Sequence, residues 1–511
     1  MAEEKSRPIR TVSGILVATA VSKILGLVRQ MLFAARFGDS AEAVAIDTAS
    51  TVPLTVFDLL FASAIVGCFI PVFAAAKAES EARARRFASS FLAAVGSLTV
   101  LISVLGIVLA RPLVSLLSPA LSPETARLSA DLLRLMMPTV VLSGLVFTFT
   151  GLLQSYSLFF LPAAVSSLSN LLLIVCLAFL KNPDEAGVRT LAVVYTASWG
   201  VQVLFLLIPA LRKKLVPDVS PSLRNPDLLN AFSRAPAVLV GSWLLPVGLW
   251  LSTRFASLVS EEAITAYHYG YHIFLILGGV LVYAVCNFVF PRFSALLSAG
   301  KREEMQSALD RSLVAALLLT LPVAAGAFVL AEPIVKICYQ RGAFSEELAG
   351  ETAGVLAVLA LAIPFYAVTE VLTRALFAAG KARACAVSSL VAIAGCTLSN
   401  VISARFSHRL LFVSLSFLAA LVLSALALGV VARMRFGLRA SLVRRALVAV
   451  SGGVLSGLFM KILLPIAGRI VPENGFIGNF LLSALVFCAG FVVYSIWFIV
   501  WRPAFRETGR Q

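Results

Sequence analysis

The residues with the strongest claim to chemistry are charges set inside long apolar runs. Lys23 and Arg29 interrupt the first run, six residues apart. Asp47 and Asp58 fall in the second, Arg234 and Arg254 bracket the seventh, and His268 and His272 stand one turn apart in the eighth. Glu370 and Arg374 are spaced i,i+4 in the tenth, and Lys461 lies in the thirteenth. A charge at the centre of a spanning helix costs about 2.5–3.5 kcal/mol, so it faces a cavity or a partner. Cations outnumber acids among these positions, a balance that suits an anionic ligand, above all a phosphate or pyrophosphate.

Each position also has a plainer reading. Glu370 and Arg374 are expected to form a local ion pair. Arg36, Arg234 and Arg254 stand near helix ends, where long side chains reach the headgroup layer. His268 and His272 suit either hydrogen-bonded core positions or a shared polar surface, and two His without a third ligand make no zinc site. Lys23 and Arg29 stand deepest, which makes them the first candidates for lining a cavity. The seven cysteines are scattered without a CxxC pair and read as small hydrophobes. Neither a GxxxxGK[ST] loop nor a Ser/His/Asp constellation occurs. Transport without covalent chemistry, metal or cofactor is therefore expected.

The elements that position these residues follow from composition. Of 511 residues, 60% are hydrophobic and only 13% charged, against about 25% charged in soluble domains. So much apolar surface cannot be hidden in an aqueous core. The chain reads as an all-α polytopic membrane protein, which excludes a soluble enzyme, a secreted disulfide scaffold and a nucleic-acid-binding domain. The net charge of +16 then belongs to basic loops between spans.

A span needs about 20 largely apolar residues. About fourteen such segments are expected, near 11–37, 41–76, 88–110, 126–153, 157–180, 190–211 and 229–258. The rest fall near 264–298, 309–330, 349–379, 382–403, 410–432, 444–467 and 477–501. The start, MAEEKSRPIR, is polar and basic, and no small-residue cleavage site follows, so the first segment reads as a retained helix. Lys and Arg cluster in alternate loops, most densely at Arg433, Arg435, Arg439, Arg444 and Arg445. Lys5, Arg7, Arg10, Lys214, Arg506 and Arg510 belong to the same side. An even number of spans places both termini in the cytoplasm.

The two halves also repeat each other. Ala110-Arg111-Pro112-Leu113-Val114 matches Ala331-Glu332-Pro333-Ile334-Val335, and Ala164-Val165-Ser166-Ser167-Leu168 matches Ala386-Val387-Ser388-Ser389-Leu390. Arg36-Phe37 and Phe69-Ile70-Pro71 find counterparts in Arg254-Phe255 and Val289-Phe290-Pro291. Two parallel six-helix lobes related by a pseudo-twofold axis are expected, with substrate between them. The expected organisation is an N-lobe at 1–211, a cytoplasmic linker at 212–228, a C-lobe at 229–432, and a C-terminal helix pair with basic tail at 433–511.

Strings spread through the chain carry a family resemblance. They include Gly26-Leu27-Val28-Arg29, Arg36-Phe37-Gly38, Phe69-Ile70-Pro71-Val72-Phe73 and Gly151-Leu152-Leu153-Gln154. Arg341-Gly342-Ala343-Phe344 and Leu376-Phe377-Ala378-Ala379-Gly380-Lys381 follow in order. Together they resemble the lipid II flippase family (MurJ/MviN), in the superfamily that also holds MATE exporters and polysaccharide flippases. The resemblance implies a flippase of the bacterial inner membrane that moves undecaprenyl-pyrophosphate-linked peptidoglycan precursor outward by alternating access. It also implies a cationic cavity for the head, a groove in the last two helices for the lipid tail, and possible partners among cell-wall synthesis proteins.

Carried over residue by residue, the resemblance makes Arg29 a functional arginine and puts Lys23 where an arginine is usual. Phe57, with Asp58 beside it, and His272 stand where the family has cavity arginines, and Gln30 where an acid is common. The expected substrate-binding set is Arg29, Lys23, His272, Arg254 and Arg374. The departures leave two further readings open: a flippase for another polyprenyl-linked glycan, and a MATE-like antiporter.

Overall fold

The computed structural model describes residues 2–61, 68–213, 215, 221–406, 409–471 and 475–505. Side chains are described from Val17 onward, apart from those of 234, 283–284, 287–288, 406, 440 and 504. Lys5, Arg7, Arg10, Lys214, Arg506 and Arg510 of the basic clusters, and the Arg234 side chain, therefore lie outside the described residues. Two compact units result: Met1–Ile264 with Arg341–Phe344, and Thr265–Gln340 with Ser345–Gln511.

The first unit opens with α1 (Ala2–Phe37), α2 (Ala41–Leu60), α3 (Ile70–Glu79) and α4 (Glu81–Val108). It continues through α5 (Ala110–Leu117), α6 (Pro123–Met136), α7 (Pro138–Ser155), α8 (Phe160–Phe179) and α9 (Glu185–Arg212). A bent pair, α10 (Pro226–Val240) and α11 (Leu244–Ser257), closes it. Side-chain caps set where helices begin. Ser40, Ser80, Ser122, Asp184 and Asn225 each accept a hydrogen bond from a first-turn N–H, which satisfies one of the donors a helix start leaves open. An aromatic core forms where Phe69 stacks on Phe73 at 5.6 Å and meets Phe91 edge-on at 4.9 Å.

The second unit holds α12 (Glu261–Ser298), α13 (Arg302–Val329), α14 (Ala331–Tyr339), α15 (Glu346–Ala378) and α16 (Ala382–Phe406). After them come α17 (Leu410–Phe436), α18 (Ala440–Ile470), α19 (Gly475–Val500) and the short α20 (Arg502–Phe505). Buried Val282, Phe293, Leu309 and Leu376 fill its main core. Leu330, Met460, Leu482 and Val486 form a separate cluster that fastens α18 and α19.

Twelve helices among the described residues are long and apolar enough to cross a bilayer, thirteen if the bent pair counts as one span. α12 runs 38 residues and carries no Asp, Glu, Lys or Arg from Ala263 to Pro291. The about fourteen expected spans thus agree with the helices observed, and the protein is all-α and multi-pass. The duplication leaves a mark on the backbone. α4 gives way to α5 at Leu109 with φ −93° and ψ 18°, and α13 to α14 at Leu330 with φ −99° and ψ 20°.

The bent pair belongs by sequence to the second repeat, yet its polar contacts run to the first unit. Arg83 Nε and Nη2 donate to the two carboxylate oxygens of Asp227, each at 2.9 Å. Trp243 Nε1 donates to the Leu59 carbonyl at 3.1 Å, and Arg254 donates to that of Leu116. The turn at 341–344 also packs on this unit. Ala343 N–H donates to the Ala35 carbonyl at 2.9 Å, and Gly38 and Gly342 flank that bond with φ of +55° and +63°. A Cβ on Gly38 would fall 2.3 Å from the Ala343 carbonyl oxygen, and one on Gly342 2.2 Å from that of Ala35. Only glycine permits both the conformation and the approach.

Candidate functional site

Arg29 anchors the polar cluster of the first unit. α1 is held against α8 where Ser22 and Ser166 hydroxyls meet at 2.6 Å and Asn170 Nδ2 donates to the Ser22 carbonyl at 3.1 Å. Two turns on, Arg29 is half-buried and within electrostatic reach of the buried Asp47 carboxylate on α2. Tyr195 on α9 is within electrostatic reach of Arg29 and of Asp58 and stands close to Trp199. Asp47, Arg29, Tyr195 and Asp58 thus bring polar groups of three helices within electrostatic reach of one another. Phe57 turns into an aromatic group instead, 5.6 Å from Trp199 and 6.0 Å from Phe147.

Lys23 does not share this environment. It is exposed on α1, whereas Arg29 six residues on is half-buried; at 100° per residue the two positions differ by about 120° around the helix. Arg254 is pinned by the Leu116 carbonyl at the end of α5, away from any acid in that contact. A guanidinium held by a backbone carbonyl keeps its charge and its remaining donors.

The second unit gathers a separate set. Arg374 Nη2 lies 3.2 Å from Glu370 on the same helix face, the local ion pair expected from their spacing. The Arg374 guanidinium also lies close to the Cys286 thiol on α12 and within electrostatic reach of Tyr366. His272 Nδ1 stands 2.7 Å from the His268 carbonyl, and the two rings are 6.4 Å apart. His268 is buried and His272 half-buried. Nδ1 facing a carbonyl must carry the proton, which leaves Nε2 as an acceptor in the neutral ring.

Sequence reasoning singled out the cations and noted Asp47 and Asp58 without assigning them a role. Tyr195, Trp199, Tyr366 and Cys286 were missed. Their residue types are ordinary in an apolar span, and only packing brings them to the charges. The one signal available was that Arg29 needs compensation in hydrocarbon, which points to the acid on the next helix. Among the described residues no group of three or more His, Cys, Asp or Glu could hold a metal.

These two sets of intramembrane polar groups, mounted on long apolar helices, define a polytopic helical transporter. The fold is shared with a solved lipid II flippase MurJ in an inward closed conformation, with a TM-score of 0.79 and 20% identity over 96% of this chain and 99% of that one. It is shared more loosely with an inward-facing MATE family multidrug transporter, with a TM-score of 0.66 and 14% identity over 81% and 94%. A probable lipid II flippase MurJ from Rhizobium meliloti (strain 1021) is 28% identical over 373 residues, covering 71% of this chain and 69% of its own. The model of the lipid II flippase MurJ family matches residues 33–486. The chain belongs to that family.

Proposed function

We propose that this protein is a lipid II flippase. It moves undecaprenyl-pyrophosphate-linked peptidoglycan precursor from the inner to the outer leaflet of the bacterial cytoplasmic membrane by alternating access, for wall synthesis. Both termini lie in the cytoplasm. The repeats 1–211 and 229–432 are the two halves of the transporter, 212–228 is their linker, and the helix pair within 433–511 serves the lipid tail. Arg29, Lys23, His272, Arg254 and Arg374 supply the charge and donors for the pyrophosphate and sugars.

The observation that carries this reading is Arg29, a half-buried guanidinium in an apolar span of a family member. Its planar fork suits a phosphate group. Arg29→Ala is expected to abolish growth in a strain depleted of its own lipid II flippase, with the variant still present in the membrane. Growth at the wild-type rate would remove Arg29 from the mechanism.

A second reading, export of a different polyprenyl-linked glycan, is favoured by one feature. Phe57 stands where the resemblance leads one to expect arginine, and Asp58 beside it puts an acid within electrostatic reach of Tyr195 in the Arg29 cluster. Depletion separates the two: lipid II accumulating on the inner leaflet supports the first, and an intact wall with a missing surface glycan supports the second.

A further inference from the structure

One end of the second unit concentrates cations. α17 ends with Arg433 and Arg435, Arg439 precedes α18, and Arg444 and Arg445 lie in its second turn. Gln306 on α13 donates to the Gly437 carbonyl, and Arg439 Nη2 to Ser307 Oγ at 3.0 Å, so the starts of α13 and α18 lie side by side. The nearby acids are Glu303 and Glu304, the latter held by Lys301 at 2.8 Å, and Asp310, buried on α13.

Arg445 is the exceptional member. It is 6% exposed, and its Nε has no hydrogen-bond partner among the described residues. A guanidinium withdrawn from water this far normally makes charge-assisted hydrogen bonds. α18 adds a second, independent demand. Its first turn has neither an acidic residue nor a side-chain cap, so the positive end of its dipole and the open N–H groups are uncompensated. Helical side chains lean toward the N-terminus, which carries the Arg445 guanidinium back toward that same turn. Helix start and buried cation thus turn toward the same place, and both favour negative charge there.

Depth says where the anion comes from. α18 has 31 residues, about 46 Å at 1.5 Å each, close to the roughly 40–45 Å of a bilayer with its headgroups. Its first two turns therefore sit at headgroup level. Trp497 and Trp501 mark the same level, with rings 5.7 Å apart and Trp497 Nε1 donating to the Val448 carbonyl at 3.0 Å. Indole rings favour that boundary.

We propose that the start of α18, with Arg445 and its flanking arginines, binds the phosphate of an anionic glycerophospholipid from the leaflet that faces it. The phosphate oxygens accept from the guanidinium and from the first-turn N–H groups. The proposal does not depend on which cargo the chain carries.

The test uses the full chain purified in detergent and titrated with dioleoylphosphatidylglycerol, dioleoylphosphatidylcholine or inorganic phosphate, with binding read by native mass spectrometry and by the shift in Tm. Phosphatidylglycerol is expected to bind and to raise Tm, and the other two to do neither. Arg445→Gln should weaken phosphatidylglycerol binding about tenfold or more, with Arg445→Lys between that variant and wild type. Arg469→Gln, exposed in the last turn of α18 at its opposite end, should leave it unchanged. Equal binding of phosphatidylcholine, protection by inorganic phosphate alone, or an Arg445→Gln protein that binds as wild type each overturns the proposal. Should Arg445→Gln fail to fold, a photoactivatable phosphatidylglycerol decides with the wild-type chain. Adducts within 439–449 support the site, and adducts confined elsewhere overturn it. Because no flipping is measured, failure here leaves the flippase reading untouched.

Discussion

At the scale of single residues, two of the cations within the spans have an acid within electrostatic reach. Arg29 has Asp47 and Tyr195 for company, and Arg374 has Glu370. The i,i+4 spacing was enough to foresee the second pair, because neighbouring helix turns fix it. The first pair depends on which helices pack together. Removing one partner of a pair shielded from water leaves the other charge uncompensated. A double-mutant cycle over Glu370→Gln and Arg374→Gln is expected to give a coupling of about 1 kcal/mol in thermal unfolding, since both groups remain partly exposed. Additive effects would mean that the contact contributes nothing.

At the scale of elements, two joints govern the first unit. The bidentate Arg83–Asp227 contact at 2.9 Å holds the beginning of α10 to the first turn of α4. Asp227→Asn keeps the shape and loses the charge, so hydrogen exchange in the first turn of α10 is expected to accelerate severalfold. Unchanged exchange would assign the hold to Trp243 and the apolar contacts. The second joint is the turn at 341–344, whose Gly342 has φ +63° and a backbone oxygen 2.2 Å from any Cβ. Gly342→Ala should destabilise the protein by about 1–3 kcal/mol and impair complementation. Gly354→Ala, within α15 and with nothing within 4 Å, serves as the counterpart; it should be neutral or stabilising by up to about 1 kcal/mol. A Gly342→Ala protein as stable as wild type would disprove the packing described for this turn.

At the scale of the whole molecule, the distribution of Lys and Arg predicts topology. In a background without the seven native cysteines, cysteine at Ser40 or Ser260 should react with an impermeant maleimide added to intact cells. Cysteine at Lys301 or Lys381 should react only after permeabilisation. The reverse pattern would invert the protein and with it the direction of transport. Much of the architecture was legible in the chain because hydrocarbon imposes a single local rule: about 20 apolar residues with every backbone group bonded internally make a helix. The all-α class and the approximate number of spans follow from that rule and need no partner to be specified. The repeat boundary did not predict packing. α10 and α11 resemble the second half in sequence but are fastened by Asp227, Trp243 and Arg254 to the first unit. Likewise Tyr195 comes within reach of Arg29, and Arg445 is buried, only because helices distant in sequence meet. A side chain's depth and partners are set by neighbours that the one-dimensional pattern does not order, so the tertiary structure alone decided them.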